Sequence, residues 1–187
     1  MGMANKEALR EFQNRLNQRF LSAQAAGVAA SWLAVESRQE GLLFPLNHAG
    51  EIFPWTPTRR VPYVKPWFLG MANLRGSLFG VIDLAQFLHR DSAASADGAQ
   101  PRDARTDSDL AQCRLVALNP LLEAGCALLV DRLLGLRTPE SFTHSEAPPA
   151  GSPGYCGHVY TDAQGRRWRE LNLQHLSLDP EFLGIGV

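Results

Sequence analysis

The spacing of apolar residues changes character near position 29. Before it, Leu9, Phe12, Leu16 and Phe20 recur at intervals of three, four and four, with Arg10, Glu11, Arg15 and Arg19 elsewhere. That period puts the four on one stripe and predicts an amphipathic helix over 5–23. A helix of this length is marginal alone in water, so the stripe must dock, on its own body or on a partner. After 29 the apolar runs are short and strand-like. Trp32 to Val35 and Gly41 to Leu46, separated by polar Glu36 to Glu40, predict a hairpin, and His48 to Phe53 a short connector. Pro54, Pro57, Pro62 and Pro66 exclude regular helix and predict a stiff loop.

The densest stretch runs from Pro66 to Leu88. Gly70 and Gly76 bracket Asn73, Leu74 and Arg75, predicting a turn before and after a short exposed segment. Leu78, Phe79, Val81, Ile82 and Leu84 then predict a strand over 77–84 buried on both faces, with Asp83 at its end. From Asp91 to Asp109 no large apolar residue occurs, the composition of a disordered loop. Strands resume at Cys113 to Leu118, turn at Asn119-Pro120 and continue from Gly125 through Val130 into 131–136. Thr138 to Pro153 reads as a Pro-, Ser- and Gly-rich loop. Tyr155 to Tyr160 and Trp168 to Leu173 read as a closing hairpin around Asp162-Ala163-Gln164-Gly165, and Leu176 to Leu183 as a short terminal helix. The organisation expected is a helix and linker over 1–28, one domain over 29–178 and a tail over 179–187.

Composition narrows the function classes. A chain of 187 residues with a net charge of −1 has room for a real core and no bulk charge for nucleic acid or an acidic membrane. Its longest weakly polar run, 25–35, is too short to span a bilayer, and the charged first twenty residues lack a secretory apolar region, so a cytoplasmic protein is expected. Three cysteines, Cys113, Cys126 and Cys156, suit reduced thiols.

Candidate chemistry is sparse. The five histidines are scattered, and no glycine pattern forms a phosphate loop. Cys156-Gly157-His158 is the closest approach to a thiol site, and a thiol enzyme using Cys156 is one rival reading. Arg166-Arg167-Trp168-Arg169 offers cations beside a ring, the basis of a second rival, a small barrel that binds nucleic acid. Asp83 and Asp131 both end apolar strands, as caps or as a carboxylate pair. Arg75, at the mouth of a buried strand, either pairs with an internal carboxylate such as Asp83 or forks onto a partner's carboxylate or helix-end carbonyls.

Two motifs carry a resemblance. Gly70, then Asn73-Leu74-Arg75-Gly76, then Val81-Ile82-Asp83-Leu84, followed by Val130-Asp131-Arg132-Leu133-Leu134-Gly135-Leu136, resemble in order the CheW-like chemotaxis coupling proteins over about residues 30–178. The resemblance implies an all-β fold, two SH3-like five-stranded barrel subdomains sharing a core and preceded by the amphipathic helix. It implies a non-catalytic adaptor, without cofactor or metal, joining the cytoplasmic tip of a methyl-accepting chemoreceptor to the regulatory domain of a CheA-like histidine kinase. Recruitment to receptor arrays at the inner membrane follows, with neither membrane insertion nor nucleic-acid binding. Carried over by position, Asn73, Leu74, Arg75 and Gly76 would meet the receptor, and Glu51, Ile52, Asp131 and Arg132 the kinase. Ala49 stands where the family usually has a bulkier apolar residue, and Gly80 where it often has proline. The leading helix, long mid-loop and Arg-Arg-Trp hairpin make the chain similar to the branch serving twitching motility through type IV pili.

Overall fold

The computed structural model describes residues 32–90 and 107–187. The helix expected over 5–23 and most of the loop expected over 91–109 lie outside them. Residues 107–109 of that stretch are not loop: they open a short helix.

β1 (Trp32–Ser37) and β2 (Glu40–Pro45) form the expected hairpin. Its two-residue turn puts Arg38 and Gln39 at φ 45° and 69°, the positive pair that matches strand twist. The segment 48–53 is a strand rather than a connector: β3 (Ala49–Pro54) pairs antiparallel with β6 (Arg114–Leu118). Only Phe53 of β3 is buried, so no alternation announces it. β4 (Phe68–Leu74) and β5 (Ser77–Asp83) form a second hairpin. The first of the two expected turns does not exist. Gly70 lies inside β4 at φ 125°, where the Arg59 backbone bridges Met71 and an added Cβ would land on the Arg59 carbonyl. Burial on both faces of β5 begins only at Gly80, since Ser77 and Leu78 are exposed.

Asp83 ends β5 by capping α1 (Leu84–Leu88): its Oδ1 accepts from the Gln86 N–H at 3.2 Å and its Oδ2 from Gln86 Nε2 at 3.1 Å. After α2 (Asp107–Gln112) and β6 come a 3-10 turn (Pro120–Leu122), β7 (Cys126–Val130) and β8 (Arg132–Arg137). The stretch 138–153 is not all loop. It holds β9 (Phe142–Glu146), an edge strand whose last four side chains are all exposed. β10 (Cys156–Asp162) and β11 (Arg167–Leu171) close the sheet. The terminal helix is two: α3 (Leu173–Leu178) stops at Asp179, whose carboxylate caps α4 (Pro180–Leu183) through the Glu181 and Phe182 N–H groups.

One sheet has six strands in the order β8-β1-β2-β11-β10-β9, one more than expected because of β9. The other has five, β3-β6-β7-β5-β4. Their central strands are buried on both faces, and alternate residues serve different cores. Leu33, Val35, Leu42, Phe44, Val116, Leu118, Leu128 and Val130 meet in a core shared by the two sheets. Trp32, Ala34, Leu43 and Trp168 fill the six-stranded side, and Leu115, Ala117, Ala127 and Leu129 the five-stranded side. Period-two geometry thus turns one continuous apolar run into walls of two cores, which is why these strands look too hydrophobic for a half-wet sheet. The segment 179–187 is tied to the body: Phe182 is buried in the shared core, and the Lys65 N–H donates to the Ile185 carbonyl at 2.8 Å. No helix among the described residues is long and apolar enough to cross a membrane.

Candidate functional site

The turn between β4 and β5 is built by its own sequence. Asn73 Oδ1 accepts the Gly76 N–H at 2.8 Å, a side-chain-closed turn that needs this spacing. Arg75 and Gly76 take φ 50° and 88°, so Gly76 supplies the conformation that side chains avoid. Leu74 points the other way, into the five-stranded core, and anchors the turn from beneath. Asn73, Arg75 and Gly76 are therefore surface, whereas Leu74 acts through its packing.

Above this turn the Arg75 guanidinium pairs with Glu51 of β3 and lies 5.8 Å from the centroid of the Phe53 ring. Both charged side chains remain open to water, 75% exposed for Arg75 and 45% for Glu51. Ile52 on β3 and Leu78 on β5 are apolar and exposed, Leu78 at 65%, but their register with Val116 and Asn73 places them on the sheet face opposite Phe53. The result is a water-accessible ion pair backed by an aromatic, with aliphatic side chains uncovered on the other face of the same sheet, a surface suited to protein docking.

Asp131 and Arg132 lie elsewhere. Gly80 of β5 is paired with Cys126 of β7 and Asp83 with Leu129, so the end of β7 is opposite the Arg75 turn. There Asp131 accepts the Arg38 N–H and, at 3.9 Å, the Cys113 thiol. Arg132 Nη2 meets one oxygen of Glu36 at 2.8 Å and Arg166 Nη2 the other at 2.7 Å. The residues expected to meet the kinase thus fall into two places, and Glu51 and Ile52 stand with the residues expected to meet the receptor. Sequence reasoning missed Phe53, Leu78 and Glu36. Only the last carried a signal, a lone carboxylate directly after a buried run.

A sequence model of the CheW-like domain family matches residues 31–181. The chain belongs to this family. It is also 30% identical over 131 residues to Protein PilI of Pseudomonas aeruginosa, an alignment covering 69% of this chain and 65% of that protein. Less than two thirds of that relative's length is therefore spanned. Among solved structures, the scaffolding protein TtCheW from Thermoanaerobacter tengcongensis superposes with a TM-score of 0.53 at 13% identity, covering 78% of this chain and 90% of that one, a likeness of fold.

Within the CheW-like frame, one of the two departures, Gly80, has a local reason. A Cβ on Gly80 would stand 3.0 Å from the Phe68 ring, so the space a proline would need is already filled. Ala49 is half-buried against the shared core at the start of β3. Among the described residues, the surroundings of Cys156 and of Arg166–Arg169 favour neither rival chemistry. Burial raises the Cys156 thiol above its ordinary pKa, against the pull of Arg169 and Arg90, so little thiolate exists at neutral pH. Arg166, Arg167 and Arg169 are engaged by Glu36, Glu146 and Glu40 at 2.7, 3.4 and 3.9 Å. Trp168 is buried, with its indole N–H donating to Asp162 at 2.9 Å, and offers no ring face for a base. No group of three His, Cys, Asp or Glu side chains among the described residues could hold a metal.

Proposed function

We propose that this protein is a non-catalytic adaptor that couples a methyl-accepting chemoreceptor to the regulatory domain of a CheA-like histidine kinase, in a pathway governing twitching motility through type IV pili. The observation that carries the reading is the exposed Glu51–Arg75 pair over the Phe53 ring. A guanidinium held by an exposed carboxylate is exchangeable: a partner's carboxylate or helix-end carbonyls can take Arg75 and release Glu51, at small cost in water. Docking on one element of the surface then changes what the other offers, which is a coupling free energy between partners without bond chemistry. Receptor contact is assigned to Asn73, Arg75 and Gly76 with Leu74 supporting them, and kinase contact to Glu51 and Ile52, with Asp131 and Arg132 at the far end. Membership of the CheW-like family and the similarity to PilI support the partner classes, and recruitment to receptor arrays at the inner membrane follows from them.

The test is calorimetric titration of the full chain with a receptor tip fragment and, separately, with the kinase regulatory domain from the same genome. Micromolar binding to both is expected, and Arg75→Ala should weaken the receptor titration while leaving the protein folded. Failure to bind either partner would remove the adaptor reading.

A further inference from the structure

Traced back from Leu171 toward the turn at Asp162, β11 leaves the shared core. Leu171, Arg169 and Arg167 lie on one face of the strand, two residues apart. Leu171 is buried in that core, whereas the Arg169 and Arg167 side chains are 42% and 67% exposed. Val159 of β10 is paired with Arg169, and Glu40 opens β2 on the other side. The Pro-rich segment between β9 and β10 closes the remaining wall, and together they bound a half-open groove of about 640 Å³, a volume suited to a ligand. Its rim is fixed by two tight turns, the Ser152 N–H donating to the Pro149 carbonyl at 3.1 Å and the Cys156 N–H to the Pro153 carbonyl at 2.9 Å, so little ordering is needed when a ligand arrives.

Three of the lining side chains are arginines, against one carboxylate, Glu40. Arg166 is spent: its guanidinium holds Glu36 at 2.7 Å and stands 4.6 Å from the centre of the Trp168 ring. Arg167 and Arg169 are held loosely, by Glu146 at 3.4 Å and Glu40 at 3.9 Å, in pairs exposed enough to exchange at small cost. Alternate residues of a strand stand about 7 Å apart, which is also the repeat of alternate side chains in any extended peptide. Each guanidinium is a fork shaped for a carboxylate. We propose that this groove binds an extended acidic segment of a partner protein, with carboxylates at alternate residues taken by Arg167 and Arg169 and the chain between them lying along the proline rim. A nucleic-acid strand would need rings for its bases to stack on, and no aromatic side chain lines the groove among the described residues. The groove lies on the six-stranded sheet, away from Arg75, so its test stands apart from the receptor and kinase titrations.

The test is fluorescence anisotropy on the full chain with a labelled, end-blocked hexapeptide of alternating glutamate and valine. Micromolar binding is expected, weakened about tenfold by Arg167→Gln or Arg169→Gln, the loss for one charge-assisted contact, and unchanged by Arg75→Ala on the five-stranded sheet. Glu40→Gln, which removes the competing carboxylate, should tighten it, a gain that a damaged fold cannot produce. No binding at millimolar protein, arginine variants without effect, Glu40→Gln without a gain, or loss with Arg75→Ala overturns the proposal. Equal binding of a peptide with the same composition but adjacent glutamates, or displacement by oligothymidylate at the same concentration, would show a response to charge alone and overturn it as well.

Discussion

Glu51 on β3 and Arg75 after β4 form an ion pair between the two end strands of the five-stranded sheet, although 24 positions separate them in sequence. Phe53 lies beneath the guanidinium and packs on Phe79 with ring centroids 6.2 Å apart, so the pair sits over the seam where the sheet curls on itself. Because both charges are exposed, the pair contributes little to stability, about 0–1 kcal/mol. Glu51→Gln and Arg75→Ala should each shift urea unfolding within that range, while Arg75→Ala weakens receptor binding by calorimetry and Glu51→Gln, which removes the carboxylate a receptor displaces, leaves it equal or tighter. If Glu51→Gln weakened receptor binding as Arg75→Ala does, Glu51 would itself be a receptor contact and the exchange would be wrong.

Glu36 presents the opposite case. Its carboxylate is 11% exposed and bridges Arg132 on β8 to Arg166 beside β11, and its backbone carbonyl accepts the Asp131 N–H at 2.8 Å. Glu36→Gln should destabilise by roughly 1–3 kcal/mol, the range for buried charge-assisted bonds. Glu146→Gln, which loosens only exposed pairs, with Arg167 and with His144, should cost less than about 1 kcal/mol. Chemical denaturation of the two variants side by side measures the difference.

Gly70 and Gly76 both have positive φ, yet their substitutions should differ. An added Cβ at Gly76 meets nothing within 4 Å, so Gly76→Ala carries only the left-handed penalty of about 1–2 kcal/mol. At Gly70 the same atom collides with the backbone of Arg59, which cannot move without breaking its bonds to Met71. Gly70→Ala should therefore lower the melting temperature much further than Gly76→Ala, and equal losses would mean the Pro-rich loop yields freely.

Asp162 should shape the acid limb of stability. The Trp168 indole N–H, with backbone N–H groups of Arg166 and Gln164, holds its carboxyl below the ordinary aspartate range. A lowered folded pKa stabilises above the unfolded value of about 3.9, and that contribution disappears as pH falls through the folded one. Asp162→Asn should flatten this part of the stability curve below about pH 4, followed through tryptophan fluorescence. An unchanged acid limb would show that the carboxylate contributes nothing there.

The amino-acid sequence by itself determined the elements whose causes are local. Asn73 and Gly76 specify a closed turn within four residues, Asp83 sits where a helix needs its cap, and Leu128 to Val130 is apolar enough to read as a strand without a wet face. Such features depend on neighbours a few residues away, and the family motifs are made of them. Tertiary structure decided the rest. β3 and β9 bury almost none of their side chains and became strands because β6, far along the chain, and β10, across a loop, supplied hydrogen-bonding edges. Trp168 could face either way until Asp162 and the six-stranded core fixed it inward. Arg75 had a plausible partner in Asp83 by proximity in sequence, but Asp83 is spent on a helix cap, and the curl of the sheet delivered Glu51 instead. Periodicity records which side of an element is dry; which distant group meets an exposed charge is settled only when the strands close.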